Sequence, residues 1–159
     1  MCEYNKEVGM YKNTIVVETF RFLKEVTIDS CIDPKIYVKI ADLAGADLTG
    51  LDLRDVNLQG ADLFRTDLSN TNLQFADLRR ADLRGAILWR ADLKKANLRN
   101  ADLRDADLRM ADLRWANLQD ANLQGARLNK SNLSGVNLKD ANLKYQAFNA
   151  LKKRGARFE

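Results

Sequence analysis

Residues 76 to 115 read ADLRR ADLRG AILWR ADLKK ANLRN ADLRD ADLRM ADLRW, a five-residue unit of the form A-(D/N)-L-x-x. Working outward from this stretch, every fifth residue from Leu43 to Leu143 is leucine, 21 times without an insertion. Two places before each leucine stands alanine in 15 of the 21 units, the others being Leu51, Val56, Thr66, Thr71, Ser131 and Val136. Between these places sits Asp or Asn in 19 of 21, with Ile87 and Arg127 as the exceptions. An unbroken internal period of this length decides the fold before any local propensity does.

A period of five excludes both regular elements. At about 100° per residue, an α-helix would spiral the leucines around its circumference and leave no face to bury. In a continuing strand, side chains alternate and five is odd, so successive leucines would point to opposite faces. The chain must therefore turn once per unit. The Ala and Leu places, two apart, point inward from a short extended piece, and the next two residues make the bend. Repeating that bend winds a solenoid.

The pattern, as carried by Ala61-Asp62-Leu63, Ala81-Asp82-Leu83 and Ala101-Asp102-Leu103, resembles the pentapeptide-repeat family in its uninterrupted, cyanobacterial form. The resemblance implies an all-β solenoid, a right-handed quadrilateral parallel β-helix with four units to a coil. The 21 units then make roughly five coils, each rising about 4.8 Å. A tube this narrow admits one large and one small side chain per side, which accounts for the alternation of leucine and alanine. The Asp or Asn beside each leucine suits a turn-rich backbone, where a short polar side chain bonds N–H groups that the bend leaves unpaired.

The chain divides into an N-terminal flank at residues 1–40, the β-helix at 41–145, and a C-terminal cap or dimerisation segment at 146–159. In the flank, Ile15, Val16, Phe20, Leu23 and Val26 have roughly helical spacing and predict a helix over 14–26, although Thr14-Ile15-Val16-Val17 equally suits the start of a strand. Ile36 and Val38, after Pro34, already fall in repeat phase, so the first coil is expected to start near residue 36. At the other end Phe148 takes a leucine place, and Leu151 with Lys152, Lys153 and Arg154 suits a short basic cap helix that Gly155 would stop. Ala156-Arg157-Phe158 then returns in phase. Tyr145, Phe148, Leu151 and Phe158 are the candidates for capping, or for end-to-end homodimerisation of the kind many members of the family show.

Length and a 46% apolar content fit one domain in 159 residues. Residues 115–159 hold 8 basic and 3 acidic residues, so the net charge of +4 sits at the C-terminal end. The N-terminus lacks the pattern of a secretory leader, and no apolar run is long enough for a membrane span, so a cytoplasmic protein is expected. Cys2 and Cys31 are the only cysteines and histidine is absent, which leaves no readable metal spacing or disulfide framework.

Carboxylates recur at Asp42, Asp62, Asp82 and Asp102. Catalytic pairs need environments that push two pKa values apart, whereas these sit in repeated, equivalent surroundings, which argues for a structural role. No calcium-loop spacing occurs, and without histidine there is no Ser-His or Cys-His pair. No catalytic, cofactor or metal site is expected, and the chain reads as non-enzymatic.

Function is therefore sought on the outward places. With four units to a coil, Ile87, Trp89, Arg90, Arg109, Met110, Arg127 and Lys130 share one face, an apolar centre with a basic rim, and both departures from the Asp/Asn rule fall on it. A second face adds Phe75, Lys94, Lys95, Arg114 and Trp115. Aromatic and arginine clusters are the common make-up of binding hot spots, although surface aromatics stacked on arginine stems need no partner.

The expected role is a scaffold whose flat faces bind a protein partner of unknown identity. Nucleic-acid or anionic-surface binding through Arg79, Arg80, Arg84, Arg99, Arg104, Arg109 and Arg114 ranks below it, because interleaved Asp residues suggest a solvated salt-bridge lattice. Some family members bind DNA gyrase as mimics of duplex DNA, which requires an acidic exterior. Residues 41–145 carry 16 basic and 15 acidic residues, which disfavours that reading.

Overall fold

Each five-residue unit has five backbone N–H groups to satisfy. The computed structural model describes residues 43–143 and 151–158, together with the backbone of four short strands nearer the N-terminus. In the unit 81–85, Ala81 N–H donates to Leu78 C=O at 3.1 Å and closes the turn from the preceding unit. Asp82 N–H donates to Ala61 C=O at 3.0 Å, on the coil below. Leu83 and Gly85 donate to Asp102 and Arg104 C=O on the coil above, each at 2.8 Å. The fifth, Arg84 N–H, donates to the Oδ1 of Asp82 at 3.1 Å. All five are paired within the chain, as a buried or half-buried backbone requires.

The same pattern links residues twenty apart through parallel bridges, as in Asp62↔Asp82↔Asp102↔Asn122. Each coil thus closes after four units and the solenoid has four sides. The last residue of each unit takes a positive φ, 65° at Gly85 and 62° at Met110, at the third position of a turn closed by an i to i+3 hydrogen bond. That is the geometry of a type II turn. Glycine adopts it freely, whereas a side chain there costs about 1–2 kcal/mol. Non-glycine residues occupy this corner on every face, so the conformation is a property of the fold and marks no site.

Inside, leucines from Leu63 to Leu113 are essentially inaccessible, and the alanines beside them are equally buried. Thr66 and Thr71, in alanine places, are also fully buried, and their hydroxyls donate to Leu43 and Leu48 C=O at 2.7 and 3.0 Å. Among the described residues no buried side-chain N or O atom lacks a partner.

The flank differs from the helix expected over 14–26. Two antiparallel pairs are present: β1 (Tyr4–Asn5) with β2 (Met10–Tyr11), and β3 (Thr14–Glu18) with β4 (Leu23–Thr27). In the second pair Ile15 faces Val26 and Val17 faces Lys24. The reason lies in Thr14-Ile15-Val16-Val17, four successive β-branched residues that are restricted in χ1 and favour extended backbone. Ile36 and Val38, and with them the expected start of the first coil, lie outside the described residues.

At the C-terminal end, residues 151–153 are helical. Ala156 N–H bonds Leu151 C=O at 3.2 Å and Gly155 N–H bonds Lys152 C=O at 3.1 Å, with Gly155 at φ 87°. These are the two bonds of a Schellman stop, which requires a left-handed residue after the helix. The chain then rejoins the solenoid: Arg157 bridges Asn137, and Leu138 N–H donates to Arg157 C=O at 2.6 Å. Arg154 reaches back over the end of the tube to the carbonyls of Leu128, at 3.1 Å, and Ser131. The segment is therefore both helical turn and returning repeat.

Leu103 is fully buried at the middle of the leucine stack. Leu103→Ala is expected to lower unfolding stability by about 2–5 kcal/mol, read by chemical denaturation, since the tube cannot collapse around the cavity without breaking the ladder.

Candidate interaction face

The outward places of each unit are the Asp/Asn place and the two residues after leucine. Because the Asp or Asn carries its Oδ1 toward the N–H two residues on, an arginine in that next outward place lies against the same carboxylate. Arg54, Arg84, Arg104, Arg109 and Arg114 each form a bidentate pair of this kind with Asp52, Asp82, Asp102, Asp107 and Asp112, the closest N–O distance being 2.6–2.7 Å. Arg79 pairs with Asp77 in the same way. Of the seven arginines considered for nucleic acid, five are held in such pairs, and Arg99 lies 3.4 Å from Asp120. Their charge is largely answered within the repeat.

Side-chain hydrogen bonds from Arg54, Arg84, Arg104 and Arg109 hold the carboxyls of Asp52, Asp82, Asp102 and Asp107 below the usual carboxylate range. At Asp112 burial pushes the carboxyl up, and the bonds from Arg114 together with the nearby charges of Lys94 and Arg114 outweigh it and hold the carboxyl low.

The face of Ile87 and Arg127 is built differently. Its outward column runs Asp67, Ile87, Asp107, Arg127, joined by parallel bridges. Trp89, Arg109, Met110, Arg127 and Lys130 line one open depression of about 580 Å³, together with Asn129. Ile87 and Arg90 stand at its margin by position in the repeat: Ile87 is 41% exposed, and the Arg90 guanidinium stacks over the Trp89 ring at 4.5 Å. Met110 is 42% exposed, against leucines beneath it that are fully buried.

The second face is internally satisfied. Lys95 lies over the Phe75 ring at 5.3 Å, Lys94 bonds Asp92 at 2.7 Å, and Arg114 is paired with Asp112. Trp115 is exposed, but its ring covers Gly135 on the next coil, where an added methyl would overlap it.

Of the terminal candidates, Leu151 is buried in the core and Phe158 packs against it. Tyr145 and Phe148 lie outside the described residues, as do Cys2 and Cys31. Among the described residues no group of three or more acidic, cysteine or histidine side chains could hold a metal ion.

Sequence reasoning missed Asn129, and it placed Arg154 in the cap helix without its reach back to the solenoid. Asn129 could have been found, because it lies two places after the exception Arg127. Arg154 had no such signal, since its partners are backbone carbonyls over twenty residues earlier.

A family model for pentapeptide repeats matches in 8 copies over residues 41–74, 76–114 and 111–144. The chain belongs to the pentapeptide-repeat family. Pentapeptide-repeat proteins fold as right-handed quadrilateral β-helices, and the four-sided coil described above is that architecture. The pentapeptide-repeat protein Rfr23 from the cyanobacterium Cyanothece 51142 is 32% identical over 71% of this chain and 87% of its own, with a TM-score of 0.55. A pentapeptide-repeat protein from Nostoc Pcc 7120 is 40% identical over 71% of this chain and 84% of its own, with a TM-score of 0.46. Another, from the thylakoid lumen of Arabidopsis thaliana, is 33% identical over 69% of this chain and 79% of its own, with a TM-score of 0.43. No curated protein matches the chain. Among the described residues no helix is long and apolar enough to cross a membrane.

The aspartates of this pentapeptide-repeat ladder predict acid sensitivity. A carboxyl whose folded pKa lies below its unfolded one adds stability above the unfolded value, near pH 4, and that contribution is lost as pH falls through the folded pKa. Thermal melts should therefore hold steady down to about pH 5 and fall below about pH 4. Asp102→Asn, which keeps the Oδ1 acceptor, should reduce the fall. Melting temperatures that rise on acidification would contradict this.

Proposed function

We propose that this pentapeptide-repeat chain is a non-enzymatic scaffold of about five coils that binds a protein partner through the face of Ile87, Trp89, Arg90, Arg109, Met110, Arg127 and Lys130. The observation that carries the reading is the open depression around Met110, where apolar surface stays exposed beside Trp89 and three cationic side chains. An apolar centre ringed by polar groups is what a small interface hot spot offers. A filled tube leaves no interior in which chemistry could be placed, so the outer faces are what the fold has to work with.

The basic faces argue less well for nucleic acid. Such binding depends on cations free to replace the counterions of phosphates. Most arginines of this solenoid already neutralise an aspartate two residues away. The near balance of charge in residues 41–145 also argues against mimicry of a nucleic-acid duplex.

A photo-crosslinking amino acid placed at Met110 in the native cells should yield a discrete protein adduct, while the same group at Asn100, exposed on another face, should not. Equal labelling from both positions, or none from either, would overturn the reading.

A further inference from the structure

In every unit from Asp47 to Asn137 but two, the Asp or Asn Oδ1 accepts the N–H of the residue two places on. The two exceptions are the units of Ile87 and Arg127, whose side chains offer no acceptor. The N–H groups of Trp89 and Asn129 therefore have no protein acceptor among the described residues. Both residues line the same depression. A donor that elsewhere in the solenoid meets a carboxylate or amide oxygen lacks that oxygen here among the described residues.

The charge of the face points the same way. Residues 87–90, 107–110 and 127–130 hold four basic residues and one acidic, Asp107. The corresponding stretches of a neighbouring face, 82–85, 102–105 and 122–125, hold two basic and three acidic. Arg109 already answers Asp107 with two parallel hydrogen bonds, and Arg127 adds only a Coulombic pull on the same carboxylate. One acidic group thus faces Arg109, Arg127 and Lys130, and the face keeps an excess of positive charge beside the Asn129 N–H, which has no acceptor among the described residues.

We infer that the occupant of this face is an acidic protein segment, with a carboxylate taking the place of the missing Asp between Asn129 N–H, Arg127 and Lys130, and a neighbouring apolar side chain seated on Met110 and Trp89. The inference rests on the scaffold reading and names the chemistry of its partner. A carboxylate fits because the chain's own carboxylates fill the equivalent position in other units. Phosphate of a nucleic-acid backbone fits less well: it offers nothing to Met110 and Ile87, and the carboxylates of the adjoining face would lie alongside it. A second copy docked by the same face would set four cations against four, which like-charge repulsion opposes.

The test restores the rule of the repeat. Ile87→Asn with Arg127→Asn returns both acceptors and removes one cation, so the double variant should melt no lower than the parent. Fluorescence anisotropy of the full chain with a short labelled peptide, rich in Glu and Asp around a Leu-Phe pair, should show saturable binding. The double variant should bind at least about ten-fold more weakly, as should the peptide's Gln and Asn counterpart. Lys130→Gln, which leaves the ladder untouched, should also weaken binding. Equal affinity of parent and double variant overturns the inference. So does equal binding of the neutral peptide, or binding of duplex DNA or RNA in place of the acidic peptide. If the acidic peptide fails while the Met110 adduct forms in cells, the scaffold reading stands and this choice of partner falls.

Discussion

A backbone that turns after every fifth residue leaves one N–H per unit that neither the adjoining coils nor the carbonyl closing the turn accepts. The Oδ1 of the Asp or Asn two places earlier takes it, at 2.9–3.3 Å along the solenoid. Each such bond contributes only about 0.5–1.5 kcal/mol net, yet a buried or half-buried donor left open costs about 1–3 kcal/mol. Repeated through the tube, this bond lets a coil of four tight corners persist without any insertion. It also fixes the direction of the carboxylate. An arginine in the next outward place then meets a carboxylate already held in position, so the bidentate pairs are a consequence of the turn more than an independent source of stability.

Once the corner is closed in this way, packing follows with little freedom. Leucine and alanine alternate because the tube is one side chain wide on each side, and both are buried within it. Such a molecule can vary only outward. The strain of the positive-φ corner is shared by all faces, so it cannot single out a functional one; neither can arginine content, because most arginines are answered locally. What distinguishes one face from another is whether the local answers are present.

The repeat, its four-sided coil and the grouping of Trp89, Met110 and Arg127 were legible in the sequence, because a strict period converts position directly into place. Legibility failed where the period does. Ile15, Val16, Phe20 and Leu23 fit a helical spacing, yet the chain forms β3 and β4, since four consecutive β-branched residues outweigh a loose periodicity. The contact of Trp115 with Gly135 and the reach of Arg154 to Leu128 and Ser131 depend on side-chain direction across coils, which no spacing rule supplies.

In a repeat this regular, an exception carries more information than a conserved-looking motif would. Ile87 and Arg127 each remove an acceptor that the fold itself uses, and each therefore gives up a bond the fold would otherwise gain. Scattered drift would be expected to leave such gaps on different faces. Instead they stand two coils apart in one column, on either side of Asp107, where Arg109 keeps the intervening unit paired. The two donors, which have no acceptor among the described residues, thus sit above and below a unit that keeps the rule, beside a depression in which Met110 and Trp89 meet Arg127 and Lys130. A local loss of structural bonding coincides there with exposed apolar area and an excess of positive charge, a combination that no other described face of the solenoid carries in its Asp/Asn column.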